Sequence, residues 1–89
     1  MNWNLIKGKY PVTGKAAFDY CSIKPFNRNV YDYFDSRRLF LSIVWDNEER
    51  NFHGFIFDNF QLCFKFFAQT RQEVETRCFF ECFDILEKF

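Results

Sequence analysis

Few side chains in this sequence could carry chemistry. His53 is the only histidine, and it stands beside Gly54 in the Phe-rich stretch 52–57. A lone imidazole can move a proton or face a partner. No Ser or Cys is spaced to serve as its nucleophile, so no catalytic residue is assigned. Cys78 and Cys82 lie one helical turn apart, and with Cys63 or His53 they could in principle clamp Zn²⁺ in a tetrahedral site. The Cys-x₂-Cys turns of a zinc knuckle are missing, and both residues fall in an apolar stripe, where Cys behaves as a small hydrophobe. Asp32, Asp35, Asp46, Glu48, Glu49 and Asp58 sit where solvated turns would place them, and Arg37-Arg38 reads as a solvated strand start. The chemical reading is therefore no catalytic residue, no metal and no cofactor: a binding protein rather than an enzyme.

The binding candidates are aromatic. At 100° per residue, Val74, Cys78, Cys82, Phe79, Phe83, Ile85, Leu86 and Phe89 spread over half of a long helix from about Arg71 to Lys88. Phe80 falls beyond that stripe and Phe83 at its edge. Phe79, Phe80 and Phe83 thus form an aromatic ridge that is costly to leave in water. Tyr31, Tyr33 and Phe34, interleaved with Asp32 and Asp35, form a second aromatic segment. These six residues are the candidate partner-binding set. Three covers fit the ridge: a second copy of the chain, a protein partner, or the chain's own residues 1–36.

The elements that must position these residues follow from pattern. Thr70 and Glu73 form a capping box that starts the helix: the Thr hydroxyl can accept from the Glu73 amide and the Glu73 carboxylate can reach back to the Thr70 amide. Glu73–Arg77, Arg77–Glu81 and Asp84–Lys88 are i,i+4 pairs along its polar side. Before it run three strands. Leu39–Trp45 is apolar on both faces and reads as a central strand. Phe52–Phe57 follows the polar turn 46–51, with Gly54 marking a bulge or a close approach. Leu62–Phe67 alternates, with Leu62, Phe64 and Phe66 on one face and Cys63, Lys65 and Phe67 on the other. Residues 1–24 read as a hairpin or two short strands, Trp3–Ile6 and Ala16–Ile23, around a loop punctuated by Gly8, Pro11 and Gly14. Residues 25–29 are a connection, and 29–37 a helical turn or an ordered loop. The expected fold is α+β, with a small antiparallel sheet of about four to five strands packed by one long C-terminal helix, in a single domain spanning 1–89.

Composition sets the outer bounds. Fifteen Phe, four Tyr and two Trp bring the aromatic share to 24%, more than one small core should hide. The surplus points to a protein interface, and a homodimer is expected. Lys plus Arg and Asp plus Glu number 12 each, so no basic field favours nucleic acid. No apolar run approaches a membrane span, and Met1-Asn2-Trp3-Asn4 opens no signal peptide. A cytoplasmic chain with reduced thiols is expected. Richness in Phe, Asn, Lys and Tyr is also the composition of AT-rich phages and mobile elements.

Leu41 to Glu87 resembles the HicB antitoxin family. The features that carry the resemblance are the Asp46–Asn51 turn, then Phe52-His53-Gly54-Phe55-Ile56, then Phe67, Thr70, Glu73 and Val74 at a helix start, and Asp84-Ile85-Leu86-Glu87 at its end. Cys78 and Ile85 stand where the family has aromatics, and residues 1–38 lie outside the resemblance. It implies a β-meander plus helix, and a small inhibitor or antitoxin-like protein that blocks a protein partner. It does not imply the DNA binding that a further segment gives many members. The alternative reading is a single-stranded nucleic-acid-binding module stacking bases on Tyr20, Phe55 and Phe57 near Lys65.

Overall fold

The computed structural model describes residues 2–22 and 29–88. The described chain is α+β, with the elements α1 (Trp3–Lys9), α2 (Thr13–Ser22), α3 (Val30–Ser36), β1 (Leu39–Asp46), β2 (Asn51–Asp58), β3 (Gln61–Ala68) and α4 (Arg71–Glu87). The strands form an antiparallel meander in the order β1-β2-β3. Among the described residues there are three strands, not the four or five expected. β2 is the central one; β1, expected at the centre, is an edge.

Alternate residues divide the sheet into two faces. Leu39, Leu41, Ile43, Phe52, Ile56, Phe64, Phe66 and Ala68 join the core cluster, together with Val74, Cys78, Cys82 and Phe83 of α4. Leu41, Ile56 and Phe64 stand level with one another across the three strands. Helix α4 crosses all three strands, α3 packs on β1, and α1 and α2 pack against the other helices. Thr70 caps α4, its hydroxyl oxygen accepting from the Glu73 amide at 3.2 Å; the expected return bond from the Thr70 amide to the Glu73 carboxylate is not among the hydrogen bonds of the described residues. Of the three expected i,i+4 pairs, Arg77–Glu81 closes at 3.8 Å; Glu73–Arg77 and Asp84–Lys88 are not among the ion pairs of the described residues.

Gly54 is a point of close approach. A Cβ there would lie 2.5 Å from Val74 Cγ1 and 2.7 Å from Cys78 Sγ. The missing side chain lets α4 settle onto the middle of the sheet. The irregularity in register falls further along, between Ile56 and Phe57. There Phe57 pairs with Leu62 and leaves Cys63 as the extra residue, its thiol 3.5 Å from the Ile56 carbonyl.

The N-terminal segment is helical, which corrects the expected strands at Trp3–Ile6 and Ala16–Ile23; Ile23 and the connection at 24–28 lie outside the described residues. The alternation of Phe18 and Tyr20 with smaller residues imitates a strand, but two caps decide otherwise. Asn2 accepts from the Leu5 amide at 3.1 Å and starts α1. At α2 the cap comes from the far end of the chain: Glu87 accepts from the Val12 amide at 3.2 Å, the Thr13 amide at 2.9 Å and the Thr13 hydroxyl at 2.7 Å. Gly14 allows the close crossing of α1 and α2, since a Cβ there would meet the Ile6 carbonyl oxygen at 2.7 Å. Residues 29–37 contain α3, set by a capping box of Asn29 and Asp32 at 3.1 and 3.0 Å.

The Glu87 cap carries a pH signature. Its hydrogen bonds to Thr13 hold the carboxyl below the usual carboxylate range. A carboxyl lowered in the folded state stabilises the fold above its unfolded value of about 4.3, and that stabilisation fades as pH falls through the folded value. Glu87→Gln should therefore melt below the parent chain at pH 7, with the gap closing toward pH 3, when both are followed by circular dichroism. A gap that is the same at every pH would show that the charge of Glu87 contributes nothing.

Candidate binding surface

The structure brings the six candidate residues together, and it does so mostly inside the protein. Phe34 and Phe83 are both 0% exposed and Tyr33 is 5% exposed. Phe83 stacks on Tyr10 at 5.4 Å and meets Phe34 edge-on at 5.0 Å. Tyr33 meets Tyr20 edge-on at 5.7 Å. Tyr31, Phe79 and Phe80 are half-buried in the same seam. The Tyr31 ring lies edge-on to Phe79 at 5.3 Å, and its hydroxyl donates to Glu75 at 2.7 Å; burial and that carboxylate push the hydroxyl's pKa up. Phe80 lies 6.3 Å from Tyr10, with the Lys9 ammonium 4.7 Å above its ring. Of the three covers weighed for the ridge, the described residues provide the third: α1, α2 and α3 lie over it. A partner would have to displace those helices to touch Phe34, Tyr33 or Phe83. What remains open is a shallow groove lined by Leu5, Ile6, Phe79 and Phe80.

The open aromatic surface lies elsewhere, on the sheet face turned away from the helices. Its rows run Phe40–Phe57–Leu62, Ser42–Phe55–Lys65 and Val44–His53–Phe67. None of these side chains joins the core cluster, and no described element covers them. Phe67 is 57% exposed. Phe60, at the tip of the β2–β3 turn, is 77% exposed and stacks on Phe40 at 5.3 Å. Phe60 has φ 71° and Asn59 φ 51°. Two successive left-handed residues make the mirror-image hairpin turn, in which Gly is the usual second residue. A bulky side chain there costs about 1–2 kcal/mol, so the exposed ring occupies a strained position.

Phe55, Phe57 and Lys65 of the stacking alternative share this face, while Tyr20 is packed on Tyr33 at the other side of the molecule. The signal for the open face was present in the sequence: apolar residues on both faces of 39–45 read there as burial on both sides. The Phe, Val and Leu of an unpartnered face give the same pattern.

At one end of the face, His53 turns back to the β1–β2 turn. Its Nε2 lies 3.6 Å from Asp46 Oδ2, 3.6 Å from Glu49 Oε2 and 2.7 Å from Asn51 Oδ1. The ring stacks on Phe67 at 5.7 Å. Asp46 Oδ1 accepts from the Glu48 and Glu49 amides at 2.9 and 3.2 Å, which closes the turn. Sequence reasoning treated these acids as a solvated turn and His53 as isolated, because only strand pairing brings them together. Among the described residues this is the one group of three His, Cys, Asp or Glu side chains with ligand atoms within reach of one another. The cysteines make no such group. Burial pushes the Cys78 thiol up to about 11 and raises that of Cys82 as well, so both stay neutral in the core.

No helix among the described residues is long and apolar enough to cross a membrane. Comparison with models of known protein families, with curated protein sequences and with solved structures finds no match to this chain.

Proposed function

We propose that this chain is a protein-binding module whose working surface is the open face of the sheet, and that a second copy of the chain occupies that face when no other partner does. The observation that carries the reading is an aromatic face outside the core cluster, with Phe67 and Leu62 exposed and Phe40, Phe55 and Phe57 half-buried, on a sheet whose other face packs on α4 and α3. Phe60 supports it, since an exposed ring held in a strained turn is a feature that local stability alone disfavours.

Size and charge define the complex. Three strands about 4.8 Å apart and eight residues long at about 3.3 Å each give a face of roughly 14 by 26 Å. Two such faces stacked would bury about 700–800 Å², below the roughly 1,200 Å² of stable interfaces. The pair is therefore weak and exchangeable, and a cognate protein offering more surface would displace it. The β1–β2 turn carries Asp46, Glu48, Glu49 and Arg50, while Arg37 and Arg38 flank the opposite end with Asp58. A two-fold axis across the strands would lay each acidic turn over the other copy's arginine pair. The biological role we propose is that of a small cytoplasmic inhibitor or antitoxin-like protein, of the kind that phages and mobile elements encode. The order of meander then capped helix and the four free thiols suit it.

A second reading keeps the same face. Phe55, Phe57 and Lys65 stand together as a stacking platform for single-stranded nucleic acid would require. Lys65 is the only Lys or Arg in the three rows, which is thin for a surface that must neutralise several phosphates.

Phe55→Lys tests the proposal, because it places a charge beside Lys65 at the centre of the face. Sedimentation should show a concentration-dependent dimer for the parent chain and a monomer for the variant, with the melting temperature nearly unchanged. A parent chain monomeric up to about 1 mM, where association is worth about 4 kcal/mol, overturns self-association. Binding of oligothymidylate at low salt that Phe55→Lys abolishes would favour the second reading instead.

A further inference from the structure

We propose that Asp46, Glu49 and His53 form a binding site for a tetrahedral divalent transition ion, Zn²⁺ being the best match, at the end of the sheet face. The site rests on these residues alone and stands or falls independently of what covers the face.

Donor set and spacing point the same way. One imidazole nitrogen and two carboxylate oxygens are first-rank Zn²⁺ ligands, with bonds of about 2.0–2.2 Å. A tetrahedron with bonds near 2.1 Å has ligand–ligand edges of about 3.4 Å, whereas adjacent ligands of an octahedral ion at that distance stand about 3.0 Å apart. His53 Nε2 is 3.6 Å from each carboxylate oxygen, and all three ligand atoms lie within 4.8 Å of one another. The imidazole nitrogen in the donor set favours Zn²⁺ over Mg²⁺, which takes oxygen and keeps much of its water. A hard, larger ion such as Ca²⁺ would prefer oxygen alone.

Much of the site is held before any ion arrives. Asp46 and Asn51 face each other as the last pair of the β1–β2 ladder. The two turn amides hold Asp46 by Oδ1, which leaves Oδ2 directed at His53. His53 is pinned by its stack on Phe67 and is only 14% exposed at its side chain. Glu49, 62% exposed, is the mobile arm that closes on the ion. Metal on Nε2 requires the imidazole proton to sit on Nδ1 and ends the contact with Asn51 Oδ1 as a hydrogen bond. The oxygen of Asn51, a buried residue, lies 2.7 Å from Nε2 and is close enough to serve as a fourth ligand. The polar cluster also makes sense without metal, as an imidazole bonded to Asn51 beside two carboxylates, and the experiment separates the two.

The full-length chain is titrated with ZnSO₄ at neutral pH by calorimetry, with the His53 imidazole ¹⁵N signals followed in parallel. One ion per chain is expected, with a shift of the His53 Nε2 resonance that Mg²⁺ and Ca²⁺ at the same concentration do not produce. Glu49→Gln lies on the exposed turn and leaves the core untouched; it should weaken binding by about 10-fold or more, and His53→Gln should abolish it. Cys63→Ser should bind like the parent, because an exposed thiol could otherwise capture zinc. Absence of binding overturns the proposal. So does binding that survives Glu49→Gln and His53→Gln, binding that disappears in Cys63→Ser, or equal binding of Mg²⁺.

Discussion

Replacing Phe83 by Ala should lower the melting temperature by roughly 15–30 °C, the largest loss from any single truncation in this protein. The ring is fully buried where three helices and the segment after α1 converge, stacked on Tyr10 and edge-on to Phe34. Truncating a buried Phe costs about 3–5 kcal/mol, part of it from the cavity left behind. An 89-residue chain holds about 4–13 kcal/mol in total at 0.05–0.15 kcal/mol per residue, and each kcal/mol moves the midpoint by about 4–8 °C. Phe80 is the internal control. It is half-buried against Tyr10 under the Lys9 ammonium, so Phe80→Ala should cost about 1 kcal/mol, near the centre of the range for single substitutions. Calorimetry of the two variants separates a core residue from a seam residue. Equal shifts would mean that the interior is not organised around Phe83.

Gly54→Ala should cost about 2 kcal/mol although it adds one methyl group. In most strands the exchange would help, because Ala leaves the unfolded chain less to lose, a gain of about 0.4–1 kcal/mol. Here the new Cβ would fall within 3 Å of Val74 and Cys78, both fully buried. Val74 is β-branched and has little rotamer freedom, so α4 must lift from the sheet or the contact stays compressed, at about 1–3 kcal/mol. A double-mutant cycle isolates the cause. Val74→Ala opens a cavity by itself, but combined with Gly54→Ala the total should fall short of the sum by more than about 0.5 kcal/mol. Additive costs would place the strain somewhere other than this contact.

How far the sequence reveals this molecule depends on the range of the interactions that decide each part. The meander and α4 are set largely by local pattern: alternation in 64–67, a polar turn at 46–51 and the Thr70 cap. The exception is Leu62, expected on the face of Phe64 and Phe66, which the bulge at Cys63 moves to the open face beside Phe57. α3 has an equally local cap in Asn29 and Asp32, which decides for the helical turn over the ordered loop at 29–37. The helical state of α2 depends on Glu87, 74 residues from Thr13, and no window of sequence contains that contact. Local hints did exist, in Ala16-Ala17 and the Lys15–Asp19 pair at 3.8 Å, but the Phe18 and Tyr20 alternation outweighed them. The candidate site divides the same way. Helical spacing shows that Phe79, Phe80 and Phe83 belong together. It says nothing of whether solvent, a partner or the protein's own helices meet them, because periodicity defines a face and not its neighbour. His53 could be linked to Asp46 and Glu49 only once the register of β1 on β2 was known.

The bond between Glu87 and the start of α2 also has a consequence for biosynthesis. α1 and α2 have 7 and 10 residues, shorter than the roughly 12–15 at which isolated helices become even marginal in water. Their apolar side has nothing to rest on until α4 exists, and the group that caps α2 follows Thr13 by 74 residues. On the ribosome α1 and α2 therefore emerge well before they can acquire structure. Until α4 has followed them out, they remain an aromatic-rich nascent segment, dependent on chaperones to keep it from premature association.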